Sequence, residues 1–163
     1  MNVDKQTWTS DSPDRTMQLG VRLGSVLVPR LVIGMVGQLG AGKTHFTKGV
    51  AAGNGLQDIG KVTSPTFTLC HQYRGDVSLN HLDVYRLTDP EELRLLGFED
   101  LVNESAATIV EWADRVTDLM PEDCLWIQIE MDSADSRRIM VQATGDASQR
   151  VLAAWRIAVE LQA

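Results

Sequence analysis

Leu31-Val32-Ile33-Gly34-Met35-Val36-Gly37-Gln38-Leu39-Gly40-Ala41-Gly42-Lys43-Thr44 is the stretch that decides the fold class. Its first six residues form a short apolar run that suits a strand buried on both faces of a parallel sheet, and the run stops at a glycine-rich turn. A helix is expected from about Lys43, ending near Gly53 or Gly55. Gly37, Gly42, Lys43 and Thr44 meet the spacing GxxxxGK[ST] between that strand and that helix, the context in which the motif builds a phosphate-binding loop. Gly37, Gly40 and Gly42 let successive backbone N–H groups turn inward around an anion, and the helix N-terminus adds its free N–H groups and positive dipole end. Lys43 would bridge the outer phosphates of a nucleoside triphosphate and Thr44 would offer its hydroxyl to Mg²⁺, so ATP and Mg²⁺ are the expected ligands.

Outward from this loop the pattern alternates between helix and strand. Residues 1–11 read as a loose N-terminal lead-in, followed by a helix that Ser12 caps and Pro13 opens, with Met17, Val21, Leu23, Val26 and Leu27 at roughly helical spacing. From Asn54 to Pro65 the chain is rich in Gly, Asp, Lys, Thr and Ser, a loop long enough to suggest a function. Phe67 to Tyr73 and Val77 to about Val84 read as a hairpin broken at Gly75-Asp76. Asp89-Pro90-Glu91-Glu92 carries the signature of a capping box, opening a short helix to Leu96 that Gly97 separates from another over Phe98 to Val102. Thr108-Ile109-Val110 is a further apolar strand running into Glu111 and Trp112. Leu125, Ile127 and Ile129, then Ile139 and Val141, alternate with more polar residues as an antiparallel pair does. Asp146 with Gln149 is expected to cap a last helix bearing Val151, Leu152, Trp155, Val159 and Leu161. The sum is one α/β domain over residues 1–163, a P-loop NTPase-like mixed sheet flanked by helices and carrying an antiparallel hairpin.

Composition narrows the function. The 163 residues carry a formal net charge of −7, which disfavours autonomous binding to DNA or RNA, while leaving open docking onto a more basic protein. The apolar stretches are too short to cross a bilayer and no secretory h-region is readable near the start, so a cytoplasmic protein without membrane partners is expected. Cys70 and Cys124 stand far apart in apolar segments and are expected as reduced, buried thiols. His45, His71 and His81 show no ligand spacing that would make an imidazole metal centre.

A phosphate loop of this type also needs an acid at the end of another strand to hold the cation. No run of four apolar residues ending in Asp is present, and two substitutes offer themselves: Asp83 in His81-Leu82-Asp83-Val84-Tyr85-Arg86, and Glu111 after Thr108-Ile109-Val110. Either, taken alone and without the phosphate loop, reads sooner as a surface carboxylate, the usual fate of Asp and Glu. Thr66 in Thr63-Ser64-Pro65-Thr66-Phe67-Thr68 lies where nucleotide switches keep a segment that senses the γ-phosphate, or else is part of a capped turn.

In order and spacing, GQLGAGKTHF, SPTFTL, HLDVYRL, the DPEEL helix with GFED, and IVEW resemble the TsaE family, also called YjeE, over about Leu31 to Thr144. These are bacterial ATPases needed to make threonylcarbamoyladenosine on tRNA. The resemblance implies an ATP-hydrolysing partner of the TsaD and TsaB proteins that touches tRNA only indirectly, TsaD performing the transfer to adenosine 37. It implies a nucleotide set of Gly37, Gln38, Leu39, Gly40, Ala41, Gly42, Lys43, Thr44 and His45, with Thr44 and Glu111 on the metal. Asp83 would be a catalytic or water-orienting acid, Thr66 a switch-like threonine, and Trp112 a neighbour of the nucleotide, the alternative for Trp112 being an ordinary core aromatic. Three positions depart from the family's usual pattern: Gln38 for an acid, His45 for a second threonine and Phe67 for a tyrosine. A small-molecule phosphotransferase is the rival from another class, but its lid arginines are not evident, since Arg137 and Arg138 fall at a predicted turn and strand start and Arg150 and Arg156 on the last helix. A slow nucleotide-dependent binding switch is the other.

Overall fold

The computed structural model describes residues 3–65 and 70–162, so the expectations for Thr66 and Phe67 lie outside the described residues. The elements in chain order are β1 (Asp4–Ser10), α1 (Pro13–Gly24), β2 (Val32–Val36), α2 (Lys43–Gly53), β3 (Cys70–Tyr73), β4 (Leu79–Asp83), α3 (Pro90–Leu95), α4 (Phe98–Asn103), β5 (Ala107–Glu111), β6 (Leu125–Met131), β7 (Arg137–Ala143) and α5 (Asp146–Glu160), with 3-10 turns at Ile59–Lys61 and Ala113–Leu119. The seven strands form one mixed sheet in the order β1-β7-β6-β2-β5-β4-β3. β2 runs parallel to both β5 and β6, and β4 runs parallel to β5, so β2, β4 and β5 end at the same sheet edge. The expected hairpin is β3 against β4, and the expected antiparallel pair is β6 against β7.

Helices cover both faces. α1, α2 and α5 lay Leu19, Leu23, Phe46, Val50, Leu152 and Trp155 on Ile33, Met35, Ile109 and Ile127. On the other face α3, α4 and the turn at Ala113–Leu119 bring Leu93, Phe98, Ala113 and Val116 against Leu82, Val84 and Val110. Because both faces are covered, β2 and β5 are buried along nearly their whole length, as the unbroken apolar runs predict. The α1 and α2 backbones touch: a Cβ at Gly24 would stand 2.1 Å from the Val50 carbonyl oxygen, and one at Gly53 would stand 2.0 Å from that of Val21. Only glycine permits that approach, which seats the helix following the phosphate loop tightly on its neighbour.

Three local expectations are corrected. Residues 1–11 are not a loose lead-in, since Asp4–Ser10 pairs antiparallel with β7 from Asp4 opposite Ala143 to Ser10 opposite Arg137. Its inward residues are mostly polar and leave no apolar period to read. Asp4 and Gln6 are met by the Arg156 guanidinium, and Trp8 lies with its ring centroid 4.5 Å from that of Trp155. The last helix is not capped by Asp146. Gly145 occupies the N-cap, while Asp123, from the turn before β6, accepts from the amides of Ala147 (2.8 Å) and Ser148 (3.0 Å). At α3 the Asp89 cap forms as read, but Glu92 accepts from the Thr88 hydroxyl at 2.7 Å rather than closing a capping box. Cys124 is a free thiol in the core and Cys70 a free, half-buried one. Burial pushes both thiols above their ordinary range, Cys124 to about 12.

Candidate functional site

The loop from Gly37 to Gly42 leaves the end of β2 and turns into α2 at the sheet edge where β4 and β5 also stop, the place where open α/β sheets bind ligands. Gly42 is the N-cap of α2 at φ 108°, a left-handed conformation that a side chain rarely adopts. A Cβ there would meet nothing within 4 Å, so the requirement for glycine at Gly42 is one of dihedral angle. At Gly37 it is one of space, because a Cβ would lie 2.6 Å from the Ile129 carbonyl oxygen. Leu39 projects outward, 77% exposed.

Lys43, the first residue of α2, is 5% exposed. Its ammonium donates to the carbonyl oxygens of Gly37 (2.6 Å) and Gln38 (2.9 Å) and stands 4.0 Å from the centroid of the Trp112 ring. Burial holds the Lys43 ammonium below its ordinary pKa, against the opposing pull of the Glu111, Asp83 and Asp114 carboxylates. Thr44, one residue on, donates its hydroxyl to Glu111 Oε1 at 3.0 Å. Glu111 is the last residue of β5 and is 1% exposed. Its Oε2 lies 2.5 Å from Nε2 of His81, which is itself wholly buried in β4.

Asp83 ends β4 directly beside Glu111 in the parallel register. Its environment differs: it is half-buried, and its two oxygens accept from the Ser64 hydroxyl (2.5 Å) and the Tyr85 amide (2.8 Å). Ser64 ties the long loop after α2 to the strand end. Trp112 follows Glu111 at φ 63°, a left-handed angle that costs a bulky residue free energy and is typical of constrained sites. Both readings of that ring hold in part, since it packs on the Leu82, Val110 and Val116 cluster and also lies against the Lys43 ammonium. Tyr85 and Arg115 stack around it, with Arg115 donating to the Tyr85 carbonyl at 2.6 Å.

The site therefore brings together Gly37, Gln38, Lys43, Thr44, Asp83, Glu111 and Trp112. A cavity of about 400 Å³ opens beside the loop, lined by Val36, Gly37, Gln38, Trp112, Asp114 and the end of β6. On the loop's other side a smaller one of about 120 Å³ lies between Pro13, Ala41, Gly42, His45 and Arg137. His45 is 3.0 Å from the Pro13 carbonyl oxygen, and Arg137 donates to the Ala41 carbonyl at 2.8 Å, bracing the loop from β7. Sequence patterning does not single out His81, Ser64, Asp114 or Arg137 as neighbours of this site. For His81 a signal existed: two residues before Asp83 on one strand, it must share that residue's sheet face.

The donors suit a hard cation. Thr44 and Glu111 supply oxygen only, and among the described residues no cluster of three or more His, Cys, Asp or Glu forms a closed metal cage. Such a set fits Mg²⁺ shared with phosphate oxygens, which seldom takes an all-protein cage.

The profile described as "Threonylcarbamoyl adenosine biosynthesis protein TsaE" matches residues 10–139. The tRNA threonylcarbamoyladenosine biosynthesis protein TsaE of Treponema pallidum is 37% identical over 132 residues, covering 81% of this chain and 96% of that protein. The protein of the same name from Bacillus subtilis is 36% identical over 140 residues, 85% of this chain and 86% of its own. The crystal structure of Bacillus subtilis YdiB superposes with a TM-score of 0.80 at 29% identity, over 96% of this chain and 97% of that one. With the match spanning both the phosphate loop and the strand ends that face it, the chain belongs to the TsaE family.

Proposed function

We propose that this protein binds and hydrolyses MgATP in the cytoplasm and that its ATP cycle supports the biosynthesis of threonylcarbamoyladenosine on tRNA, together with TsaD and TsaB proteins. The observation that carries the reading is the convergence of Thr44 and Glu111, 3.0 Å apart, beneath the glycine loop whose lysine is already drawn inside. Bound Mg²⁺ would neutralise phosphate charge there, held by the Thr44 hydroxyl and the Glu111 carboxylate. Lys43 exchanges the Gly37 and Gln38 carbonyls for phosphate oxygens. Asp83, steadied by Ser64 and the Tyr85 amide, orients the attacking water and accepts its proton. The two bacterial relatives, both tRNA threonylcarbamoyladenosine biosynthesis proteins, support the pathway. The net charge of −7 supports a protein partner in place of direct tRNA contact.

Charge-assisted hydrogen bonds contribute about 1.5–3 kcal/mol each, so Lys43→Ala is expected to weaken ATP binding roughly 10- to 100-fold in calorimetric titration. Phosphate release should rise when TsaB and TsaD are added. Depleting the protein in cells should lower threonylcarbamoyladenosine in tRNA by mass spectrometry. Unchanged modification, or phosphorylation of a small metabolite by the purified protein, would defeat the assignment.

A further inference from the structure

We propose that His81 is a positioning residue that orients the Glu111 carboxylate for the cation, and that Tyr73 in turn fixes the His81 ring; the inference rests on the MgATP reading above. Four side chains form a connected line across the sheet. Tyr73 Oη on β3 lies 3.1 Å from His81 Nδ1 on β4, His81 Nε2 lies 2.5 Å from Glu111 Oε2 on β5, and Glu111 Oε1 accepts from Thr44 of α2 at 3.0 Å. His81 and Glu111 are 0% and 1% exposed, so water cannot stand in for a missing partner between them, while the Tyr73 hydroxyl also lies 3.5 Å from the Thr63 carbonyl oxygen and 3.4 Å from His71 Nδ1.

The chemistry of the line gives it a direction. An ionised carboxylate only accepts, so His81 Nε2 is the donor to Glu111. The tyrosine hydroxyl both donates and accepts, and it partners Nδ1 whichever hydrogen the ring carries there. With Oε2 held by His81 at 2.5 Å, Oε1 is the oxygen nearer the Thr44 hydroxyl, at 3.0 Å against 3.4 Å for Oε2, and Thr44 is the other oxygen donor of the cation site. Without the imidazole, the Glu111 side chain could rotate about its last bonds, and the preference of the Thr44 hydroxyl for Oε1 over Oε2 would be lost. Supporting partners of this kind typically alter metal affinity by about 10- to 100-fold when removed.

The test is a Mg²⁺ titration of ATP binding, at fixed nucleotide and without turnover, in the full chain and three variants whose folding is checked by circular dichroism. His81→Phe keeps ring bulk without a donor and is expected to raise the Mg²⁺ needed for half-maximal binding at least tenfold, with Mg²⁺-independent ATP affinity changed less than threefold. His81→Gln, which can return an N–H near the Nε2 position, should recover most of that loss. Tyr73→Phe should raise the requirement several-fold and shift the ¹⁵N resonances of the His81 ring in metal-free protein. A Mg²⁺ requirement in His81→Phe equal to the parent overturns the proposal, as does a glutamine variant no better than the phenylalanine one. If His81→Phe does not fold, Tyr73→Phe decides: an unchanged requirement and unchanged ring resonances overturn it, and shifts in both uphold it. A parent protein that binds no ATP at all instead strikes the nucleotide reading, before any variant is compared.

Discussion

Glu111 and Asp83 end adjacent parallel strands side by side, yet they differ in what they would leave behind. Removing the Glu111 carboxylate strands the His81 ring in a dry interior and frees the Thr44 hydroxyl at a half-buried position. Each buried group left unsatisfied costs about 1–3 kcal/mol. Removing Asp83 strands only the Ser64 hydroxyl and the Tyr85 amide, in a half-buried place that water can reach. Glu111→Ala is therefore expected to lose about 1–3 kcal/mol of stability in urea titration and Asp83→Ala under about 1 kcal/mol, both with ATP turnover lost. Equal stability losses would show that the two surroundings are misjudged. At this scale the sequence is most informative where the chemistry is local. Gly37 to Thr44 is legible because one unbroken stretch carries the whole motif, and both acids are legible as the ends of apolar runs. The tie from His81 to Glu111 is not, because it joins residues of different strands and depends on how β4 lies against β5.

The same divide between local and distant contacts governs the elements. α1 follows its reading because its cap is local: Ser12 accepts from the Arg15 amide at 3.1 Å and Pro13 opens the helix. α5 departs from it because Asp123 reaches across from the turn before β6, and no local pattern encodes that. Desolvation alone would raise the Asp123 pKa, but the hydrogen bonds from Ser148 and Ala147, with the Arg150 charge, outweigh it and hold the carboxyl below its ordinary value of 3.8. A group whose folded pKa is depressed stabilises the fold above its unfolded pKa, and that contribution fades as pH falls through the folded value. Asp123→Ala should thus cost about 1 kcal/mol at pH 7, near 2–4 °C in Tm for a domain of this size, with the gap to the parent narrowing below about pH 4. A gap of the same size at pH 3 and pH 7 would mean that the charge of Asp123 contributes nothing to the cap.

Across the whole molecule the sheet has two ends with different duties. At the β3 end Tyr73 begins the line that reaches the site, and burial lifts its phenol to about 12, so it remains a hydrogen-bearing hydroxyl at any physiological pH. At the β1 end lies the segment that the sequence disguises as a tail. Trp8 rests on Trp155, whose indole N–H donates to the Leu19 carbonyl at 3.0 Å and whose ring is 6.0 Å from that of Phe46, so one cluster joins β1, α1, α2 and α5. Arg156 adds paired hydrogen bonds of 2.9 Å to both oxygens of Asp4. Of these residues Phe46 adjoins the phosphate loop, its amide donating to the Gly42 carbonyl at 2.8 Å, whereas Trp8 lines neither cavity beside the loop. Trp8→Ala is consequently expected to lower stability by about 2 kcal/mol, less than the 3–5 kcal/mol of a fully buried aromatic because Trp8 keeps part of its surface in water. Its affinity for MgATP should stay within threefold of the parent, since the loop is anchored by Arg137, which pairs with Ser10 and holds the Ala41 carbonyl, and Trp8 pairs two positions away, with Ile139. Urea titration and ATP calorimetry on one preparation separate the two effects. A tenfold loss of affinity in a folded Trp8→Ala protein would show that the first strand sets the geometry of the phosphate loop as well as closing the sheet.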